Sequence, residues 1–138
     1  PDLKGVALKE NNTICIGGRS EHFARRLTDW LKKKAKAEIL ARASDFAAKI
    51  DCRLGRITVR DTRSRWGSCS PNGNLSFCWR LIMTPDWVLD YVVAHEVSHL
   101  RHMDHSPAFW QTVESLGVRV DEARRWLNDN TEKLQRYG

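Results

Sequence analysis

The longest periodic pattern of the chain lies between residues 20 and 50. This stretch contains neither proline nor glycine, and its apolar side chains recur three or four positions apart. They are Phe23, Leu27, Trp30, Leu31, Ala35, Ile39 and Leu40. Such spacing lines one face of an α-helix and leaves the lysines on its other side. The pattern predicts one long helix capped by Ser20, with residues 43–45 as the place where it could break.

After Cys52 the pattern changes to short alternating runs. The run GRITVRD alternates β-branched and polar side chains, and RWGSCSPNGNLSFCWRL contains Asn72-Gly73, a strong signal for a hairpin turn. A two-residue turn at this dipeptide pairs Ser70 with Leu75 and predicts a small antiparallel sheet. The buried face of the hairpin is then expected to carry Trp66, Leu75, Phe77 and Trp79.

Two proline signals mark the helices that follow. Thr84-Pro85-Asp86 is typical of a helix start, with Thr84 as the cap, and predicts a helix over residues 85–103. Ser106-Pro107 repeats the signal for the next helix, and after Gly117 a last helix is expected over residues 121–135. The order of a long helix, a small sheet and further helices predicts an α+β domain.

Length and composition fit one globular domain. The chain of 138 residues is long enough to bury a core without disulfide bonds. It opens with Pro1 rather than methionine, which indicates a processed chain or a fragment. No apolar run approaches the roughly 18 residues of a membrane helix, so we expect no membrane partner.

The cysteines and the charge add two expectations. Cys15, Cys52, Cys69 and Cys78 form no C-x-x-C pair, which argues against a cysteine zinc site and favours reduced thiols in a cytoplasmic protein. In the expected register Cys69 and Cys78 lie about 7 to 8 Å apart, beyond ordinary disulfide distance. The net charge of +6 allows DNA as a partner, but the basic residues are dispersed and we favour solvated faces.

Four of the five histidines fall within residues 92–110. Two of them belong to His95-Glu96-Val97-Ser98-His99, which fits the zinc-binding pattern H-E-x-x-H. On an α-helix, side chains four apart lie on one face, roughly 6 Å apart along the axis. Two imidazoles in this arrangement can bind one ion between them.

The third ligand must come from His102 or His105. His102 lies about 7 Å farther along the helix axis than an ion shared by His95 and His99, too far for a bond of about 2 Å. His105 follows the point where the helix must end before Pro107, so a turn can bring it back over the ion. We therefore expect zinc on His95, His99 and His105, and an exposed or supporting role for His102.

Glu96 stands between the first two ligands and is costly to bury without a partner. Three histidine ligands leave one position of a zinc ion open, and Glu96 can take a proton from water bound there. This arrangement predicts hydrolysis by zinc-activated water with Glu96 as the general base. A capping or surface role for Glu96 is the alternative.

Rival readings of the same region are weaker. Cys69 suggests a cysteine peptidase, but the papain arrangement needs a histidine some 130 residues downstream. Ser98 is a poor nucleophile because its histidine neighbours are the expected metal ligands. Arg63 and Arg65 are candidates to bind a substrate carboxylate or an oxyanion, although a solvated strand edge is favoured.

Residues 62–110, TRSRWGSCSPNGNLSFCWRLIMTPDWVLDYVVAHEVSHLRHMDHSPAFW, resemble the YgjP-like metallopeptidase domain. That zincin group carries an R-W-G-S-C segment, a hairpin, H-E-x-x-H and then H-S-P-x-F-W. A looser similarity extends to SprT and WLM peptidases. The resemblance implies a compact, gluzincin-like metallopeptidase with zinc on the three histidines and Glu96 as the base. The resemblance also implies that residues 1–138 form a single domain. It further implies that part of an N-terminal β segment is missing, because residues 3–16 supply only a short β segment at most.

We therefore expect a metallopeptidase with one Zn²⁺ per chain, acting on a peptide or protein extended along the strand of residues 74–79 by backbone pairing. Two alternatives remain: a protease that acts on DNA-bound proteins, and a zinc-containing binding module without catalytic activity.

Overall fold

Helix α1 (Gly18–Lys49) is one continuous helix of 32 residues in the computed structural model, which describes residues 18–135. The long helix is confirmed. It continues without a break through residues 43–45, where Ala43 is buried in the core. Ser20 was expected as its cap but lies inside the helix, which begins two residues earlier. Cys15 and the short β segment expected within residues 3–16 lie outside the described residues.

The sheet has three strands, β1 (Ile57–Arg60), β2 (Gly67–Cys69) and β3 (Leu75–Cys78), in the order β1-β3-β2. Strands β2 and β3 form the expected antiparallel hairpin, but β1 pairs with β3 in parallel. The sheet is therefore mixed rather than antiparallel. The chain reverses twice between β1 and β3, so the two strands run in the same direction when β3 takes the central position.

The hairpin turn has three residues, which makes the two-residue prediction wrong. Gly73 donates its backbone N–H to the Ser70 carbonyl at 2.9 Å, and Ser70 donates to Asn74 at 2.9 Å. Pro71 fits the second position of a type I turn, and Gly73, with φ of 82°, takes the left-handed position that follows.

This turn shifts the register by one residue. Cys69 lies opposite Leu75, and Gly67 lies opposite Phe77, so these two residues replace Trp66 on the buried face. Trp66 instead donates its indole N–H to Thr131 of the C-terminal helix at 3.1 Å. Cys52, Cys69 and Cys78 are free thiols, which confirms that no disulfide joins the hairpin.

A 3₁₀ helix (Trp79–Met83) joins the sheet to α2 (Asp86–Ser98). Thr84 does not cap α2 as expected, because its hydroxyl donates to the Leu81 carbonyl at 2.6 Å, and Pro85 takes the cap position. Helix α2 ends at Ser98 rather than near residue 103. Beyond it, residues 99–101 form tighter bonds three positions back, such as Leu100 N–H to the Val97 carbonyl at 2.9 Å.

The last two helices are α3 (Pro107–Ser115) and α4 (Val120–Gln135). The Ser106 hydroxyl accepts a hydrogen bond from the Phe109 N–H at 3.3 Å, and Pro107 occupies the first turn, so the predicted start of α3 is confirmed. Most residues of α2 are buried by the sheet and by the other helices. The α+β class is confirmed, and no helix in residues 18–135 is long and apolar enough to cross a membrane.

Arg80 is a buried charge that the sequence pattern did not indicate. It is fully buried, with its guanidinium 2.6 Å from the Asp61 carboxylate and 4.8 Å from the centre of the Trp79 ring. The Arg80 ion pair lowers the pKa of Asp61. This contact holds the loop of residues 61–66 against the 3₁₀ helix and so fixes the approach of the chain to β2.

Candidate metal centre

Three histidines converge at the end of α2. His95 and His99 come from the helix and its first residue beyond, and His105 comes from the loop ahead of α3. One ring nitrogen from each lies within 4.8 Å of the others, and the Nε2 atoms of His95 and His105 are 3.4 Å apart. His102 is not part of this group.

Hydrogen bonds on the far side of two rings orient them. His99 Nδ1 is 2.9 Å from the backbone carbonyl of His102, which can only accept, so Nδ1 carries the proton and Nε2 is left with a lone pair. His95 Nδ1 is 3.3 Å from the hydroxyl of the buried Tyr91, which leaves its Nε2 facing His105. Such contacts orient histidine ligands in metal sites.

Aromatic side chains of α3 enclose the histidines. Phe109 stacks on His99 with ring centres 4.4 Å apart, and Trp110 stacks on His105 at 6.0 Å. Burial, followed by the neighbouring histidines, lowers the pKa of His95 to about 4, and burial also lowers the pKa of His99. Both rings are thus held neutral, the form that binds a metal. Three convergent imidazoles fit a zinc ion with three protein ligands.

Glu96 is buried in α2 and directly follows His95 along the chain. Only 7% of it is exposed, and burial raises the pKa of its carboxyl to about 7 despite the opposing charge of Arg65. A carboxyl group with a pKa near neutrality is suited to exchange protons with water at physiological pH. Helix α2 therefore carries a buried candidate base between two of the candidate metal ligands in sequence.

Gly67 allows strand β2 to lie against Glu96. A Cβ atom at this position would be 2.9 Å from Glu96 Cγ and 3.2 Å from a ring carbon of Phe77. Only a glycine permits this approach without displacing the glutamate. This contact was not predicted, although a glycine inside a strand was an available signal for a close approach.

The rival nucleophiles do not suit catalysis. Burial, together with the nearby Glu96, raises the pKa of the Cys69 thiol to about 11, so it remains protonated. Ser98 is fully buried, and its hydroxyl has no hydrogen-bond partner among the described residues. Neither group is presented to a substrate as an activated nucleophile.

The expected substrate strand, residues 74–79, is not available for backbone pairing. Its strand, β3, lies at the centre of the sheet with β1 on one side and β2 on the other. Both of its edges are already hydrogen-bonded. Strand β2, by contrast, has one neighbour among the described residues, and it lies over Glu96.

Comparison with known proteins shows that this chain is similar to a protein family and to a solved structure. The sequence model of the YgjP-like metallopeptidase domain matches residues 4–130. The crystal structure of the metallopeptidase zymogen of Pyrococcus abyssi abylysin has a similar fold, with a TM-score of 0.52 and 20% sequence identity, over 78% of this chain and 95% of that chain. At this identity the likeness shows the fold alone. No curated protein sequence gives a significant match.

Proposed function

The chain belongs to the family of YgjP-like metallopeptidase domains, and from that membership we propose a zinc peptidase with His95, His99 and His105 as ligands and Glu96 as general base. The family implies a metal ion and a peptide or protein substrate. One zinc ion per chain, these ligands and this base are our proposal. The observation that carries it is the convergence of three imidazoles beside a buried carboxyl group.

Each residue has a distinct task in this proposal. A zinc ion held by the imidazoles would act as a Lewis acid on the substrate carbonyl and make a nearby water more acidic. A carboxylate oxygen of Glu96 accepts a proton from the attacking water and delivers it to the nitrogen of the leaving amine. Phe109 and Trp110 keep the histidines partly dehydrated, which strengthens the charge interactions within the site.

The edge of β2 is the proposed place for the substrate backbone. An extended peptide can add a strand to an exposed sheet edge through main-chain hydrogen bonds. Because Gly67 lies against Glu96, a peptide paired with β2 passes close to the proposed base. This edge replaces residues 74–79 as the expected docking strand.

Glu96→Gln is the substitution that tests the proposal. We expect zinc to remain bound while hydrolysis of an unfolded protein falls by about 10² to 10⁴-fold, because the amide cannot accept the proton. Metal analysis and cleavage profiling by mass spectrometry measure the two effects. The matched control is Glu114→Gln, which makes the same change at an exposed position of α3.

Two outcomes would contradict this proposal. Undiminished turnover in Glu96→Gln rejects Glu96 as the base. A zinc-loaded wild-type chain that cleaves no unfolded protein supports the non-catalytic binding module instead.

The exposed face of α1 supports a second proposal, a protease that acts on DNA-bound proteins. Arg25, Arg26, Lys33 and Lys36 are exposed there, and Trp30 is 37% exposed. DNA-stimulated cleavage and binding that weakens steeply with salt would support this proposal. Unstimulated cleavage and weak, salt-insensitive binding would dismiss it.

A further inference from the structure

A polar groove of about 580 Å³ crosses the outer face of the sheet. A row of hydroxyl groups forms its floor, because Thr58, Ser76 and Ser68 are in register across the three strands. We call it the sheet groove, and its main polar lining residues are Thr58, Arg60, Arg65, Ser68, Asn74 and Ser76. The loop ahead of β2 bounds one end, and the hairpin turn bounds the other.

The charge of the sheet groove is positive. Arg60 and Arg65 both line it, and no carboxylate among the described residues does so. Neither arginine forms an ion pair within residues 18–135. Guanidinium groups next to hydroxyl and amide groups are the donors that bind carboxylates or phosphates.

The sheet groove and Glu96 lie on opposite faces of strand β2. Gly67 lines the groove and is also the residue that lies against Glu96. Arg65 lines the groove too, two residues ahead of Gly67. Because side chains of an extended chain point alternately to the two faces of a sheet, a peptide paired with the edge of β2 directs every second side chain toward the groove.

We propose that the sheet groove binds an acidic stretch of the polypeptide substrate next to the bond that is cleaved. This inference rests on the proposed peptidase function and adds a substrate class to it. A polypeptide is favoured over a nucleic acid because no aromatic side chain lines the groove on which a base could stack. The donor-rich floor matches the carboxylates and the backbone of an acidic peptide.

Binding is measured without cleavage on the zinc-loaded Glu96→Gln chain. Two fluorescein-labelled decapeptides differ only in four glutamates that are replaced by glutamines, and fluorescence anisotropy gives both affinities. We expect the glutamate peptide to bind about tenfold more tightly at low salt, since a few partly exposed charge pairs contribute this much. Higher ionic strength should reduce the preference.

Arg60→Gln is the main test of location. It should reduce the preference to less than about threefold, because one of the two guanidinium groups is lost. The matched control is Arg56→Gln, which removes the same charge from an exposed residue just ahead of β1 that does not line the groove. The control should keep the preference.

Three results would overturn the inference. The first is equal binding of the two peptides. The second is an equal loss of the preference for the glutamate peptide in Arg60→Gln and Arg56→Gln. The third is Arg60-dependent binding of a decathymidine strand without any preference between the peptides. If wild type cleaves peptides but shows no acidic preference, the inference fails and the peptidase proposal stands. If the acidic preference is present but wild type cleaves nothing, the groove stands and the peptidase proposal fails.

Discussion

His105 and His102 are close in sequence but lie differently with respect to the candidate metal centre. The ring of His105 faces His95, whereas His102 contributes its backbone carbonyl to His99. We expect His105→Ala to weaken zinc binding by at least about a hundredfold, since it removes one of the three proposed ligands. His102→Ala keeps the carbonyl and should cost less than about tenfold. Competitive titration with a chromogenic chelator measures both, and the reverse order would disprove the assignment of His105.

Tyr91 orients His95 without facing the metal centre. Tyr91→Phe keeps the ring in the core but removes the oxygen that lies 3.3 Å from His95 Nδ1. We expect zinc affinity to fall by about 10 to 100-fold, with little change in thermal stability of the metal-free chain. Chelator competition measures the affinity, and ¹⁵N NMR of His95 reports which ring nitrogen carries the proton. An unchanged tautomer and unchanged affinity would remove Tyr91 from this role.

The burial of Glu96 has a cost in stability that depends on pH. The pKa of the Glu96 carboxyl group, about 7, lies above the ordinary value of 4.5. The contribution of Glu96 to the free energy of unfolding is therefore fully present below pH 4.5 and is lost as the pH rises through about 7. Glutamine stays neutral throughout. The free energy of unfolding of metal-free Glu96→Gln should therefore match that of wild type at about pH 4 and exceed it by about 3 kcal/mol at about pH 8. Urea unfolding in the presence of a chelator at both pH values tests this, and a constant difference would contradict it.

For single residues, the sequence predicted the positions that depend only on neighbouring parts of the chain. The spacing of His95 and His99 on one helix, and the turn required before Pro107, bring His105 to the same place without reference to the rest of the fold. The contributions of Tyr91 and Gly67 could not be predicted in the same way. They depend on a side-chain contact within a buried helix and on a strand that packs against it from a distant part of the sequence.

Among the elements, the packing of β2 against α2 determines how Glu96 is placed. Gly67→Ala would bring a methyl group within 2.9 Å of Glu96 Cγ, so the strand or the glutamate must move. We expect catalytic turnover to fall by about tenfold or more while zinc affinity stays within about threefold, because the atoms nearest to the added methyl group belong to Glu96 and Phe77 rather than to the proposed ligands. Steady-state kinetics and chelator competition measure the two quantities. Gly117→Ala is not a suitable control, since its φ of 79° adds backbone strain.

Ser64→Ala is the better control for that experiment. It changes an exposed residue of the loop ahead of β2 that does not line the sheet groove. If Gly67→Ala and Ser64→Ala lower turnover equally, the effect belongs to this segment of the chain as a whole and not to the contact with Glu96.

The hairpin shows why element types were predicted better than their register. Asn72-Gly73 suits turns of two residues and of three, and the two differ by one position in every pair that follows. Pro71, with its fixed φ, favours the second position of a type I turn and so distinguishes them. The parallel pairing of β1 was not predictable from local signals either, because strand order depends on which edges the helices leave free.

For the molecule as a whole, zinc should act as a clamp between α2 and the start of α3. Its proposed ligands come from both sides of the loop that joins these helices. Free zinc at 100 times its dissociation constant should stabilise the fold by about 2.7 kcal/mol, provided the unfolded chain does not bind it. Thermal unfolding with zinc and with a chelator measures the difference. His105→Ala should abolish it, whereas an undiminished effect in that variant would place the ion elsewhere.

The central position of β3 also has a consequence for the order of folding. The β2-β3 hairpin closes a loop of three residues and forms on a microsecond timescale. Strand β1 pairs with β3 only after the chain has passed around β2, which closes a longer loop at a higher entropic cost. The hairpin, with Gly67, is therefore expected to form before β1 docks. Thr58 and Arg60 belong to β1, which docks last. The sheet groove is therefore completed only after β2 has formed its hairpin with β3.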